Sequence, residues 1–231
     1  MKIQHIFFDL DNTLWDHRRN AYLTLKEIFN KEKVSDRYPL GFEEFHTEYF
    51  TINERLWEQI RDGEIDKDYL RKHRFYDSFL FFGIDDFELA QTFENNFLDE
   101  ILNHNDLVEG AFEILEYLSN KKYKLHILSN GFKEVTYKKC ELSGIKNYFQ
   151  TITSADEINI RKPHPEVYDY ALKKAGAKTE ESMMIGDDWI ADVEGGKACG
   201  LEVVFLDVFN DNFEADGVKT IKKLKKLETL L

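Results

Sequence analysis

Apolar residues follow two distinct rhythms along the chain. Residues 3–8 (IQHIFF) form a short, nearly continuous apolar run, which predicts a strand buried on both faces. Similar runs recur at 124–128, 183–185 and 202–206, with a weaker one at 149–153. Between them, apolar positions take helical spacing over 111–121, 133–143, 166–175 and 191–199. Strand alternating with helix predicts a doubly wound α/β fold, a mostly parallel sheet with crossover helices.

Residues 15–105 break that rhythm. Their apolar positions are spaced for helices, as in Phe45, Tyr49, Ile52, Leu56 and Ile60, or Leu89, Phe93, Phe97 and Ile101. Punctuation falls at Pro39-Leu40-Gly41, Asp62-Gly63 and Gly83. The prediction is an all-helical insert of four or five helices over 15–105, set into an α/β core made of 1–14 and 106–231. The closing KTIKKLKKLETLL predicts a basic amphipathic helix with a solvated lysine face.

Composition narrows the functions on offer. The 231 residues carry 44 acidic and 31 basic side chains, a net charge of −13. Binders of nucleic-acid polymers spend lysine and arginine on a basic face, so such a polymer is not expected as a partner. A small phosphate ester needs only one local positive pocket and stays open. No run approaches the ~20 apolar residues of a membrane span, and the N-terminus lacks the pattern of a signal peptide. Cys140 and Cys199 are the only cysteines and have no CxxC spacing, which predicts reduced thiols without a redox role. A cytoplasmic protein, monomeric or homodimeric, is the expectation.

Ligands of open α/β sheets bind outside the carboxyl ends of the strands, so those ends are where chemistry is sought. The first strand ends in Asp9, Asp11 and Thr13; the second in Ser129, Asn130 and Gly131. Beyond the third lie Arg161 and Lys162, and the fourth ends in Gly186, Asp187 and Asp188, with Asp192 following. Carboxylates this close cannot all ionise without a countercharge. Mg²⁺ suits them, taking one or two carboxylates, water and a substrate phosphate oxygen. Asp9 and Asp187 would be side-chain ligands, and the backbone carbonyl of Asp11 could be a third. Ser129, with the amides of Asn130 and Gly131 opening a helix, could hold a phosphate, and Lys162 adds a point charge. Asp9 could then attack phosphorus, while Asp11 protonates the leaving oxygen and later takes a proton from water. Each piece also has an ordinary structural reading: an Asx turn at Asp11-Asn12-Thr13, a helix cap at Ser129-Asn130, a second cap at Asp187-Asp188. Those readings leave their joint order at successive strand ends unexplained.

In these residues the chain resembles the haloacid dehalogenase (HAD) superfamily of phosphohydrolases. Its DxDxT motif is matched by Asp9, Asp11 and Thr13, its Ser/Thr motif by Ser129, its Lys motif by Lys162, and its GDxxxxD motif by Gly186, Asp187 and Asp192. The resemblance implies Asp9 as nucleophile, Asp11 as acid/base, and Ser129 and Lys162 on the phosphate. It also implies Asp187 on Mg²⁺ and Asp192 orienting metal waters or Lys162. Asp188 stands where many members have serine, and is a further candidate for the metal shell. The helical insert falls where this family carries a cap that closes over the site. The dehalogenase branch has no acid at the position of Asp11, so the resemblance implies phosphate monoesters as substrates. DLDNTLWD and GDDWIADVEGGKACGL are similar to the pyrimidine 5′-nucleotidase subfamily, which implies nucleoside 5′-monophosphates. A sugar-phosphate or phosphoglycolate-type phosphatase and a mutase on the same scaffold are the rivals, and a receiver-like signalling module is the rival of another class. For substrate contact, Trp15, His17 and Arg18 could stack on a base or pair with a leaving group, or simply pack as a hinge. Trp57, Phe75, Phe79 and His164 fit packing roles better.

Overall fold

In a computed structural model, which describes residues 2–231, the chain divides into two compact units. Among the described residues one comprises 2–17 and 105–231; the other is Arg18–His104.

The first unit is built on a six-stranded sheet. Strands β1 (His5–Phe8), β2 (Lys124–Ser129), β3 (Phe149–Ser154), β4 (Ser182–Gly186), β5 (Glu202–Leu206) and β6 (Lys219–Ile221) lie in the order β3-β2-β1-β4-β5-β6. Every neighbouring pair is parallel. β1 is therefore central and all four of its residues are buried, as its unbroken apolar run requires. The chain steps outward from β1 through β2 to β3, then returns to the other side of β1 for β4. That reversal lies between β1 and β4, and an open sheet offers its binding crevice at such a point. Phe7, Leu128, Val167, Tyr168, Met184, Val193 and Phe205 pack into the core on one face.

Five helices, α1 (His17–Lys31), α2 (Val34–Arg37), α3 (Phe42–Arg61), α4 (Lys67–Phe81) and α5 (Phe87–Glu100), occupy residues 17–100 among the described residues. Asp66 caps α4 by accepting from Tyr69 N at 2.8 Å, and Asp86 caps α5 by accepting from Leu89 N at 2.9 Å. The buried faces meet in a cluster of aromatic rings. Phe45 stacks on Phe79 at 4.8 Å, Tyr49 on Phe75 at 4.8 Å, and Phe93 meets Phe79 edge-on at 5.0 Å. Phe75 and Phe79 are thus core residues, and Trp57 is half-buried.

The remaining helices of the α/β unit are α6 (Ala111–Asn120), α7 (Lys133–Leu142), α8 (Pro165–Ala175) and α9 (Gly195–Ala198). Two expectations need correction. The predicted helix over 191–199 is a π-helical turn, Trp189–Glu194, followed by the short α9. The closing basic helix is instead β6 and a 3-10 segment, Leu224–Thr229. Ile221, Leu224 and Leu227 are buried, and their spacing of three is the period of a 3-10 turn. β6 finds β5 as partner, which a helix-like pattern of lysines and leucines does not disclose. Among the described residues no helix is long and apolar enough to cross a membrane.

Candidate active site

The site begins with the loop that follows β1. Leu14 N and Trp15 N both donate to Leu10 O, at 3.0 and 2.9 Å, and Asn12 N donates to Trp15 O at 2.7 Å. Asn12 takes a left-handed φ of 60°, which asparagine tolerates better than most residues. The tight loop fixes Asp9, Asp11 and Thr13 at the end of the central strand.

Lys162 is the hub. It is only 1% exposed, and its Nζ donates to Asp9 Oδ1 at 2.7 Å and to Asp192 Oδ1 at 2.6 Å. Its backbone is clasped by Asn130: Lys162 N donates to Asn130 Oδ1 at 2.8 Å, and Asn130 Nδ2 donates to Lys162 O at 2.9 Å. Asn130 thus spends its side chain on placing Lys162, and any contact to an anion falls to its backbone. Helix α7 opens at Lys133, with Phe132 at its N-cap. The helix expected over 133–143 is thus found at Lys133–Leu142, and the amides of Asn130 and Gly131 lie ahead of it, with Gly131 N donating to Ser129 Oγ at 3.0 Å. Ser129 is 1% exposed.

The loop after β4 brings further acid. Thr13 Oγ1 donates to Asp187 Oδ1 at 2.8 Å, tying the first strand end to the fourth. Asp188 is exposed; its Oδ1 accepts from Ala191 N at 2.8 Å and caps the π-helical turn. Asp192 Oδ2 accepts from Asp188 N at 3.1 Å. A Cβ on Gly186 would stand 2.0 Å from Asp192 Oδ2, so only glycine fits there. Tyr168, fully buried, donates its hydroxyl to Ala191 O and braces the same turn.

One carboxylate oxygen each from Asp9, Asp187 and Asp192 lies within 4.8 Å of the others. The third carboxylate of this cluster is Asp192, whereas the carboxylate of Asp11 turns to another cation. Burial drives the Asp9 carboxyl up to about 7, against the pull of Lys162 and with Asp192 adding to the rise. Asp187 is raised well above the carboxylate range by burial and by Asp9 and Asp192. Lys162 is held as an ammonium: burial opposes its charge, but Asp192 and Asp9 outweigh it. Three carboxylates facing one ammonium are short of positive charge. Hard oxygen donors with that deficit are the donor set a magnesium-like divalent cation takes.

Asp11 sits differently. Lys139, 4% exposed on α7, donates from Nζ to Asp11 Oδ1 at 2.5 Å, and His17 Nδ1 lies 3.9 Å from the same oxygen. Burial raises the Asp11 carboxyl, but Lys139 and then His17 outweigh it and hold the group below its ordinary value. Lys139 Nζ stands 4.1 Å from the centroid of Trp15, which is fully buried. Trp15 is therefore packing, not a platform for a base. Arg18 is exposed with its guanidinium over Phe50, and His164 is exposed at the N-cap of α8. Cys140 is buried and free, its thiol pushed up to about 12 by burial and then by Asp11, which suits an inert thiol.

Lys139 had no place among the expected site residues, because a lysine in KKCEL reads as part of a solvated face. The signal was its phase. Thr136, Lys139 and Cys140 share the buried side of α7 at the i, i+3, i+4 spacing.

A carboxylate-rich crevice at the reversal of a parallel sheet, with one buried lysine at its centre, defines a hydrolase of the HAD type. Residues 3–200 match the family model for haloacid dehalogenase-like hydrolase, and the chain belongs to that family. Among its relatives, the HAD-hydrolase YfnB of Bacillus subtilis is 27% identical over 98% of this chain and 94% of its own. Pyrimidine 5′-nucleotidase YjjG of Escherichia coli is 28% identical over 100% of this chain and 99% of its own. The glyceraldehyde 3-phosphate phosphatase of Methanothermobacter thermautotrophicus is 24% identical over 99% and 100%. The crystal structure of YfnB, bound to magnesium, superposes with a TM-score of 0.89 at 24% identity, covering 100% of this chain and 99% of that one.

Proposed function

We propose that this protein is a Mg²⁺-dependent phosphohydrolase that cleaves phosphate monoesters through an aspartyl phosphate on Asp9, with nucleoside 5′-monophosphates as its substrate class. The observation that carries the chemistry is the buried Lys162 held between Asp9 and Asp192, with the Asp187 carboxylate alongside. The substrate class rests on the full-length similarity to a pyrimidine 5′-nucleotidase. YfnB with its magnesium supports the choice of metal.

Asp9 and Asp187 would hold the cation, with the backbone carbonyl of Asp11 as a further oxygen; bound there, Mg²⁺ offsets charge on the phosphoryl oxygens. The Lys162 ammonium and the Ser129 hydroxyl bind those oxygens, whose charge spreads in the transition state. A carboxylate oxygen of Asp9 attacks phosphorus in line with the leaving oxygen. Asp11, a carboxylate beside Lys139 in the free protein, takes up a proton as the monoanionic ester binds, gives it to that oxygen, and the alcohol departs. Asp11 then takes a proton from the water that attacks the aspartyl phosphate, freeing Asp9 and inorganic phosphate. Asp192 orients Lys162, Thr13 orients Asp187, and Asp188 shapes the turn that carries Asp192. The helical unit, residues 18–104, is assigned the part of the family's cap, and residues 105–231 with the N-terminal segment that of its core.

Asp9→Asn should lower phosphate release from every monoester by on the order of 10⁴-fold or more, as loss of a nucleophile does. Near-full activity of that variant with Mg²⁺ present would end the mechanism. A panel of nucleotides and sugar phosphates, run with Mg²⁺ and with chelator, tests the rest. The glyceraldehyde 3-phosphate phosphatase similarity makes sugar phosphates the rival class, and their clear preference would retire the nucleotidase reading.

A further inference from the structure

Asp11 is held by more than its own loop. Lys139 Nζ and His17 Nδ1 both approach Oδ1. Oδ2 faces elsewhere: the point where a Cβ on Gly131 would stand lies 3.4 Å from Asp11 Oδ2 and 3.1 Å from Ser129 Oγ. The two carboxylate oxygens are thus distinguished, one tied to a buried cation and one turned toward the Ser129 turn.

Lys139 itself is fixed on several sides. Its ammonium lies over the buried Trp15 ring, and its helix face is shared with buried Thr136 and Cys140. Trp15 in turn is stitched to the Asp11 loop by Trp15 N to Leu10 O, Asn12 N to Trp15 O and the bridge between Asp11 and Trp15. Burying an ammonium is unfavourable unless it is paired. Here the pair joins α7 to the one carboxylate that must meet the leaving group.

We propose that Lys139 is a positioning residue for proton transfer, fixing Asp11 Oδ1 so that Oδ2 presents the proton to the leaving oxygen. The inference rests on the reading of Asp11 as acid/base. As the Asp9 oxygen–phosphorus bond forms, the bond from phosphorus to the leaving oxygen breaks. That oxygen keeps the electron pair and takes the proton that Asp11, ionised in the free protein, has accepted through Oδ2 from the bound ester monoanion. An alkyl leaving group needs the proton; a nitrophenolate departs without it. Misplacing Asp11 therefore slows alkyl esters and largely spares aryl ones, whereas a general loosening of the site slows both.

The test compares a nucleoside 5′-monophosphate with p-nitrophenyl phosphate in single turnovers of the full chain with Mg²⁺. Leaving-group release is followed, so that the later hydrolysis of the phosphoenzyme does not enter. Lys139→Met should slow release from the nucleotide by about 10–100-fold, the lower part of the range for general acid catalysis, and release of nitrophenol by less than about 3-fold. Lys139→Arg should restore most of the nucleotide rate, and Lys139→Met should add nothing in an Asp11→Asn background. Equal slowing of both esters by Lys139→Met, or a full further loss in the double variant, overturns the inference while the acid/base reading stands. If Asp11→Asn itself treats the two esters alike, the acid/base reading fails and the inference falls with it. Should Lys139→Met not fold, Lys139→Gln is held to the same outcomes.

Discussion

In the helical unit buried charge is one exception within a field of rings; in the α/β unit most of it gathers where the strands end. Arg74 and Glu94, each 4% exposed, pair at 2.7 Å, and the Arg74 guanidinium lies 4.9 Å from the Phe97 ring. Glu94 Oε1 also accepts from Arg71 Nε at 3.0 Å, so both oxygens of the carboxylate are met from within the same unit. At the strand ends Asp9 and Asp192 share a single lysine with the Asp187 carboxylate beside them, and the charges are left unbalanced. A buried carboxylate met by cations of its own unit holds a fold in register; a cluster with carboxylates in excess is unfavourable until a ligand supplies what is missing. Position in the sheet explains the difference, since loops at strand ends can converge without disturbing the ladder, while helix interiors cannot.

Substitutions can separate the two behaviours. The largest expected effect is on function alone: Gly186→Ala drives Asp192 from its place, and a displacement of about 1 Å should lower turnover by about 100-fold or more. Circular dichroism should show the fold intact; retained activity would mean that Asp192 has freedom the packing does not suggest. Glu94→Gln strands the Arg74 charge and should destabilise by about 3–5 kcal/mol in denaturant unfolding. Activity of the fraction that stays folded should be close to the parent. Unchanged stability would show that the helical core does not depend on its ion pair.

A third substitution concerns polarity in the α/β unit away from the site. His5 Nδ1 and His126 Nε2 lie 3.0 Å apart, and His126 Nδ1 is 2.8 Å from Thr151 Oγ1. Burial, followed by His5 and Lys124, pushes His126 down to about 3, and burial lowers His5 as well. The unfolded chain then binds protons that the folded one refuses. This stability is present above about pH 6.5 and is lost as pH falls toward 3, by on the order of 1–3 kcal/mol. His126→Leu should flatten that part of the unfolding profile; an unchanged slope would place the protonation elsewhere. The smallest effect is expected at the exposed pair of Lys146 and Glu141, 3.1 Å apart, where Lys146→Ala should shift stability by no more than about 0.5 kcal/mol.

The sheet was legible because its strands are buried on both faces and so read as plain apolar runs. β5 is expected at 202–206 and found at Glu202–Leu206. β6 was hidden, because KTI is short and its lysines continue into a helix-like pattern. The π-helical turn was hidden for another reason: it is held by Tyr168 and Asp188, contacts that spacing cannot encode. In the site, chain order alone announced which loops to watch. Partner choice was not announced. That Asp192 shares Lys162 with Asp9, while Asp11 takes Lys139, depends on the reach of two long side chains.

The reciprocal clasp between Asn130 and Lys162 has a thermodynamic consequence. It joins the crossover after β2 to the one after β3 through two amide contacts that owe nothing to an incoming molecule. The entropy of aligning that ammonium is surrendered when the polypeptide collapses, and little is left to surrender at the moment of encounter. Affinity for a phosphoryl group can then be expressed in the reaction barrier and not consumed in arranging the receptor.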